Sequence, residues 1–338
     1  MYGTREIARL AKVSVATVSA VINGKGTVSA ELTSRVHKAM EALDYHPNHL
    51  ARSLRVRRTY TIGMMIPDVT NPFFTDIMSG VQHEARLHGY SVIFCDANEN
   101  PEFERQSLKA LSSRRVDGVL LAPTDSDIAQ DRPTRERFPM VFFDRIPAGF
   151  RGSAVITDNF EGAQTATSHL IGLGHERIAI ITGRQNLSNG SERLEGFRQA
   201  LYQARLPLSE EYVRRGDFGL ESGYQCALEL MRLSPPPTAI FSCNNQMTLG
   251  LMRALGELAI PCPGRVSTVG FDDFDWAASF SPRLTTVAQP SYEMGKKAFA
   301  LLMEKIEARL NDGAPYEDRV LRLKNELRIR DSSAKPYS

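Results

Sequence analysis

Thr4-Arg5-Glu6-Ile7-Ala8-Arg9-Leu10-Ala11-Lys12-Val13-Ser14-Val15-Ala16-Thr17-Val18-Ser19-Ala20-Val21-Ile22 opens the chain with two helical patterns on either side of a break at Lys12-Val13. Thr4 is expected to cap the first helix, in which Ile7, Ala8, Leu10 and Ala11 recur at helical spacing, and Ser14 to cap the second. A third cap, Ser29, precedes a pattern running from Ala30 to Leu43. Two short helices around a tight turn, buttressed by a third, form a helix-turn-helix. In that arrangement the second helix enters the major groove by its N-terminal residues. Val15, Ala16, Thr17 and Ala20 are small enough to let it sit deep. A three-helix cluster with no DNA partner is the competing reading of this segment alone.

Charge supports the first reading. Residues 1–58 carry ten Lys and Arg against four Asp and Glu, a surplus of six, while the whole chain stands at +2 and the remainder therefore at about −4. A basic end on a weakly acidic body suits phosphate binding. With 338 residues, 42% of them hydrophobic, two or three folding units are expected. No apolar run reaches the ~18 residues that span a bilayer, and the N-terminus is polar, so neither a membrane partner nor a secretory signal is expected. Cys95, Cys226, Cys243 and Cys262 are scattered without CxxC spacing, as reduced thiols of a cytoplasmic protein would be.

Glu6 to Ser19, followed by Val21-Ile22-Asn23-Gly24, Val28-Ser29 and Tyr45-His46-Pro47-Asn48-His49-Leu50-Ala51-Arg52-Ser53-Leu54, resembles the LacI/GalR family of bacterial transcription regulators, and the likeness continues to about residue 330. It implies an all-α helix-turn-helix headpiece (residues 1–46) and a hinge helix with linker (47–58). These join an α/β two-lobed, periplasmic-binding-protein-like sensor core (59–338) made of two doubly wound parallel sheets. Lobe 1 is expected over about 59–157 plus 287–318, and lobe 2 over about 158–286 plus 319–332. The resemblance further implies a homodimer on double-stranded operator DNA. Contacts are expected from Thr4, Ser14, Val15, Ala16, Thr17, Ser19, Ala20 and Asn23, and from Asn48, His49, Ala51, Arg52 and Leu54 of the hinge. Leu54 matches the leucine that the family wedges into a central base step; a plain linker begun by Pro47 is the alternative.

From Thr59 onward, strand patterns alternate with helices. Strands are expected at Thr61–Ile66, Tyr90–Phe94, Val116–Leu121, Met140–Phe143 and Arg177–Thr182, and helices at about Phe73–His88, Pro101–Arg114, Ser126–Arg137 and Asn159–Leu173. Apolar strands alternating with helices imply parallel sheets covered on both faces, with ligands beyond the carboxyl ends of the strands. Near the C-terminus a helix at about Tyr292–Asn311 precedes two alternating strands, Arg319–Leu323 and Glu326–Arg330.

The family likeness points to a small-molecule effector held between the lobes by Asn71, Phe73, Phe74, Asp144, Arg193, Phe218, Asn244 and Asp272. Asn71 also suits an N-cap with Pro72 at the first helical position and both phenylalanines in the core. Arg193 offers a planar fork of donors to hydroxyls or a carboxylate, unless it is a surface arginine, and Asp272 either meets the ligand or caps its loop. Amides and carboxylates that bind vicinal hydroxyls favour a sugar or sugar derivative.

The chain departs from the family pattern in places. Ala20 replaces a base-reading arginine or histidine, and alanine offers only contact to a thymine methyl. Lys12 replaces the usual turn glycine, where a left-handed backbone costs about 1 kcal/mol. Asn245 stands where many members have aspartate, and the tail after Asp331 lacks a leucine heptad, so a dimer and not a tetramer is expected. No nucleophile–base set, metal cluster or P-loop is present in the pattern, so no enzyme, metal or cofactor is expected. Two other functions compete: a regulator that answers mainly to a protein co-effector, and an exported solute-binding protein.

Overall fold

The computed structural model describes residues 3–22, 28–45, 58–124, 137–147, 149–311 and 316–336. The chain divides into a unit of residues 1–59 and a unit of residues 60–338. The N-terminal unit contains α1 (Thr4–Ala11), α2 (Val15–Ile22) and α3 (Ala30–Ala42). Ile7, Ala8 and Ala11 of α1, Val18 of α2, and Val36 and Ala39 of α3 form its core. Leu10, grouped by its spacing with that apolar face, is half-exposed instead.

The caps follow the sequence with one correction. Gly3, not Thr4, is the N-cap of α1, and its N–H donates to Glu6 Oε2 at 2.9 Å, so the third helical residue supplies the capping oxygen that glycine lacks. Ser14 Oγ accepts from Thr17 N at 3.0 Å to begin α2, and Ser29 caps α3. Lys12 adopts the left-handed conformation at φ 52°. Its turn is held by Arg35 of α3, whose guanidinium donates to Ala11 O and Lys12 O and satisfies carbonyls left open at the end of α1.

The second unit consists of two lobes. In the first, β1 (Thr61–Ile66), β2 (Ser91–Asp96), β3 (Gly118–Leu121), β4 (Met140–Asp144) and β5 (Ser153–Thr157) are joined by a late strand, β11 (Val320–Leu323). The order β11-β5-β4-β3-β1-β2 is parallel throughout. In the second lobe β6 (Ile178–Thr182), β7 (Val213–Arg215), β8 (Ala239–Ser242), β9 (Ser267–Phe271), β10 (Thr285–Ala288) and β12 (Glu326–Arg328) take the order β12-β10-β9-β8-β6-β7, with only β12 antiparallel. Sheet position for sheet position, β4 corresponds to β9, β1 to β6 and β3 to β8.

Helices cover both sheets: α4 (Pro72–Leu87), α5 (Pro101–Ser113) and α10 (Ser291–Leu310) on the first, and α6 (Asn159–Gly172), α7 (Ser188–Gln203), α8 (Leu220–Met231) and α9 (Asn245–Glu257) on the second. The helix expected over Ser126–Arg137 falls almost wholly outside the described residues. Among the described residues no helix is long and apolar enough to cross a membrane.

The expected lobe boundaries need correction near the C-terminus. Arg319–Leu323 was assigned to lobe 2, yet β11 pairs with β5 and completes the first sheet. Residues 287–288, assigned to lobe 1, end β10 in the second sheet. The chain therefore crosses between lobes after β5, after β10 and after β11. An alternating half-exposed strand marks a sheet edge, and that pattern is identical for β11 and β12, so periodicity alone does not say which sheet each one borders. Side chains tie the crossings together: Thr157 Oγ1 donates to Gln289 Oε1 at 2.6 Å, and Asn325 Nδ2 donates to Asp158 O at 2.8 Å.

Candidate functional site

Two surfaces follow from this fold. On the N-terminal unit, Val15 and Ala16 at the start of α2 are exposed while Val18 is fully buried, so one face of the helix packs and the other is free to read a groove. Thr17, Ser19 and Ala20 are partly exposed on the same helix, as are Thr4 on α1 and, more fully, the capping Ser14. Asn23, Asn48, His49, Ala51, Arg52 and Leu54 lie outside the described residues.

The second surface is a cavity of about 170 Å³ between the lobes, at the carboxyl ends of both sheets. All eight expected residues line it: Asn71, Phe73 and Phe74 at the start of α4, Asp144 at the end of β4, Arg193 on α7, Phe218 after β7, Asn244 before α9, and Asp272 after β9. Strand ends converge here because parallel strands all point their carboxyl termini to one side.

Three of these residues carry unusual backbone. Asp144, Phe218 and Asp272 have φ of 64°, 77° and 75°, which a non-glycine residue adopts at a cost of 1–3 kcal/mol. At Asp144 the Arg145 N–H donates to Phe143 O at 2.7 Å, closing a tight three-residue turn. Asp144 and Asp272 occupy equivalent sheet positions, so the two lobes present their carboxylates to the cleft by the same strained device.

Burial pushes the Asp144 carboxyl up to about 6, against the pull of Arg145 and Arg193, and burial likewise raises Asp272. Asp272 accepts from Gln289 Nε2 at 2.5 Å and from Asn245 N at 3.2 Å. Arg193 is buried, not a surface arginine: Nε donates to Asn159 Oδ1 at 2.8 Å, Nη1 to Cys243 O at 2.5 Å, and the guanidinium lies 3.6 Å from the centre of the Phe271 ring. Asn71 caps α4 through Phe73 N at 3.0 Å, as its place before Pro72 suggests, and also borders the cavity.

Several lining residues escaped the sequence reading: Asp68, Glu99, Arg145, Arg184, Asn189, Asp217 and Gln289. Arg145 adjoins Asp144 in sequence, but nothing in the pattern said that its side chain is buried against Glu99 at 3.0 Å. Among the described residues, its Nε, Asn189 Oδ1 and Glu99 Oε2 are buried without a hydrogen-bond partner. Behind them Glu104 of α5 is buried and accepts from Thr124 N at 2.7 Å, and burial lifts its carboxyl to about 7. Lobe-to-lobe bonds border the cavity: Arg184 Nη1 donates to Thr124 O, Ile146 N to Ser188 Oγ, and Asn189 Nδ2 to Asp144 Oδ2.

Comparison with known proteins agrees with this geometry. Residues 4–48 match the model for bacterial regulatory proteins of the lacI family, and residues 59–324 that for periplasmic binding proteins and the sugar binding domain of the LacI family. The HTH-type transcriptional repressor PurR of Vibrio parahaemolyticus serotype O3:K6 (strain RIMD 2210633) is 35% identical over 333 residues, 98% of each chain. Among solved structures, the transcriptional regulator CelR in complex with cellobiose is 31% identical with a TM-score of 0.73, over 98% of this chain and 100% of that one. The lac repressor dimer bound to operator and the anti-inducer ONPF is 25% identical with a TM-score of 0.86, over 98% and 99%. With a helix-turn-helix at its N-terminus and a two-lobed α/β core behind it, the chain belongs to the LacI family of DNA-binding bacterial regulatory proteins.

Proposed function

We propose that this protein is a transcriptional repressor that binds a pseudo-palindromic operator as a homodimer in the cytoplasm. Its affinity for the operator is set by a small, neutral, hydroxyl-rich effector between the lobes. Repression and pairing on an operator are carried over from the PurR relative and the lac repressor dimer. Each lobe change that the effector causes is bounded by its differential affinity for the two arrangements.

The observation that carries the effector reading is the state of the three arginines on the cavity wall. Arg145 faces Glu99 and Asp144, Arg184 faces Glu99, and Arg193 is engaged by Asn159 and the Cys243 carbonyl. Five carboxylates, from Asp68, Glu99, Asp144, Asp217 and Asp272, line the same space. An anionic ligand meets no surplus positive charge there. A neutral hydroxyl needs no such surplus, and among the described residues Arg145 Nε and Asn189 Oδ1, a donor and an acceptor on residues that line the cavity, have no hydrogen-bond partner. The cavity is below the roughly 300 Å³ at which drug-sized pockets begin, so a single ring suits it better than the disaccharide of the CelR complex. A second reading, a planar heterocycle, is favoured by the aromatic rings that line the cavity, Phe73 and Phe74 from the first lobe and Phe218 from the second.

Calorimetric titration with neutral monosaccharides, their phosphates and nucleobases tests this. Binding of a neutral sugar by the native chain, lost in Arg193→Ala while operator binding persists, is the expected result. Binding of a phosphorylated sugar alone refutes the neutral-ligand reading, and an unchanged titration in Arg193→Ala removes that residue from the site.

A further inference from the structure

Asn245 does not line the cavity, yet it touches both of its walls. Its side-chain Nδ2 donates to Asn71 Oδ1 at 2.5 Å, across the gap between the second lobe and the first, and both residues are buried. Its backbone N–H donates to Asp272 Oδ2 at 3.2 Å. The direction of the lobe-to-lobe bond is fixed by the neighbours. Asn71 Oδ1 already accepts from Phe73 N, so that atom is oxygen, and Asn245 must offer its nitrogen. Asn245 Oδ1 in turn accepts from Gln246 N at 2.7 Å. The pair thus connects the cap of α4, which carries Phe73 and Phe74, with the carboxylate of Asp272.

The lobe-to-lobe bonds of Arg184 and Asn189 near the cavity involve a guanidinium or a carboxylate, whereas those from Ile146 N to Ser188 Oγ and, at the crossing, from Thr157 Oγ1 to Gln289 Oε1 are neutral. The Asn71–Asn245 bond joins two neutral side chains shielded from water, where a hydrogen bond keeps most of its strength and an orphaned amide is costly. We propose that Asn71 and Asn245 form a clasp that sets how strongly this protein favours closed lobes, with Asn245 the positioning residue that couples closure to Asp272. The consequence for the effector rests on reading the cavity as its site; the clasp itself does not.

The clasp is open to clean substitution. Asn245→Ala removes the lobe-to-lobe bond but keeps the Asn71–Phe73 cap and the backbone bond to Asp272. Asn245→Asp sets a carboxylate against Asn71 Oδ1, with no proton to donate. Asn71→Asp keeps an oxygen that caps α4 and accepts from Asn245. The test is a distance distribution by double electron–electron resonance on the full chain. Labels go in as non-natural amino acids at the exposed positions Phe103 of the first lobe and Tyr202 of the second, so the four cysteines stay as they are.

One buried hydrogen bond shifts an equilibrium by about two- to twelvefold. The closed-to-open ratio is expected to fall by that factor in Asn245→Ala and further in Asn245→Asp, and to hold in Asn71→Asp. Distributions unchanged in both Asn245 variants overturn the clasp, as does opening in Asn71→Asp to the same extent. Because no ligand is added, a wrong assignment of the effector site leaves this result intact. Failure of the clasp, equally, leaves the sugar titration to be judged by itself.

Discussion

Replacing Glu104 by glutamine tests whether the first lobe stores a pH-dependent cost behind the cavity. Glu104 is 1% exposed and accepts a hydrogen bond from Thr124 N. Burial raises its carboxyl from 4.5 to about 7, in spite of that bond and of Arg145 nearby. A raised acid is bound more tightly to its proton in the folded state than in the unfolded one. Stability therefore falls as pH rises from the unfolded value near 4.5 to the folded value near 7, and stays low above it. A shift of about 2.5 units at about 1.4 kcal/mol each is a penalty of about 3 kcal/mol at pH 8 that is absent at pH 4. Glutamine keeps an oxygen for Thr124 N and never ionises. Glu104→Gln is expected to match the native protein near pH 4.5 and to exceed its Tm by roughly 5–10 °C at pH 8, measured by scanning fluorimetry across that range. A difference in Tm that does not change with pH refutes the argument. A Glu104 that ionises freely would show no such trend.

Two predictions concern the N-terminal unit. Lys12→Gly removes a side chain from a backbone at φ 52° and should stabilise α1 and α2 by about 1 kcal/mol, read as slower hydrogen exchange of their amides in the full chain. Faster exchange would mean that the Lys12 side chain does more than tolerate its turn. Ala16→Glu places a negative charge on the exposed start of α2, away from the core residue Val18. Affinity for DNA should drop at least about tenfold with less than about 0.5 kcal/mol of stability lost; undiminished binding would take α2 out of the groove.

What was legible in the sequence was whatever a local pattern encodes. Ser14 and Ser29 announce helix starts because a hydroxyl before an apolar helix has few other uses, and both cap as expected. At Thr4 the same logic misplaced the cap by one residue, because Glu6 supplies the oxygen from inside the helix and frees glycine to precede it. The eight cleft residues were legible through the family likeness, and their convergence follows from parallel strands sharing one carboxyl edge. Arg184 and Glu99 were not legible, since each sits in a loop whose direction is set by the partner it meets on other elements, nor was Asn189, whose place in the first turn of α7 does not say that it meets Asp144 of the other lobe. Nor was the sheet to which β11 belongs, a choice made by long-range pairing with β5 and invisible to alternation.

The strained aspartates show the same limit from the other side. Aspartate at a strand end reads as a turn residue, and nothing in Phe143-Asp144-Arg145 or Phe271-Asp272-Asp273 says that the backbone turns left-handed there. Glycine would take that conformation without strain, so what aspartate adds at both positions is a carboxylate on the cavity wall. Asp144 then has two costs, about 1–3 kcal/mol of backbone strain and the ionisation of a carboxyl whose range is pushed up to about 6 from 3.8. The second amounts to about 3 kcal/mol above pH 7 and disappears below pH 4, by the same sign argument as for Glu104. Asp144→Gly removes both and loses the 3.4 Å bond from Asn189, the 4.0 Å approach of Arg145, which keeps Glu99, and the attraction of Arg193. The variant should therefore be more stable than the native chain at pH 8, by a margin that narrows toward pH 4, and should bind the effector at least about tenfold more weakly. A variant less stable at pH 8 would show that Asp144 braces the lobes. Equal effector affinity would show that the strain serves something other than the ligand.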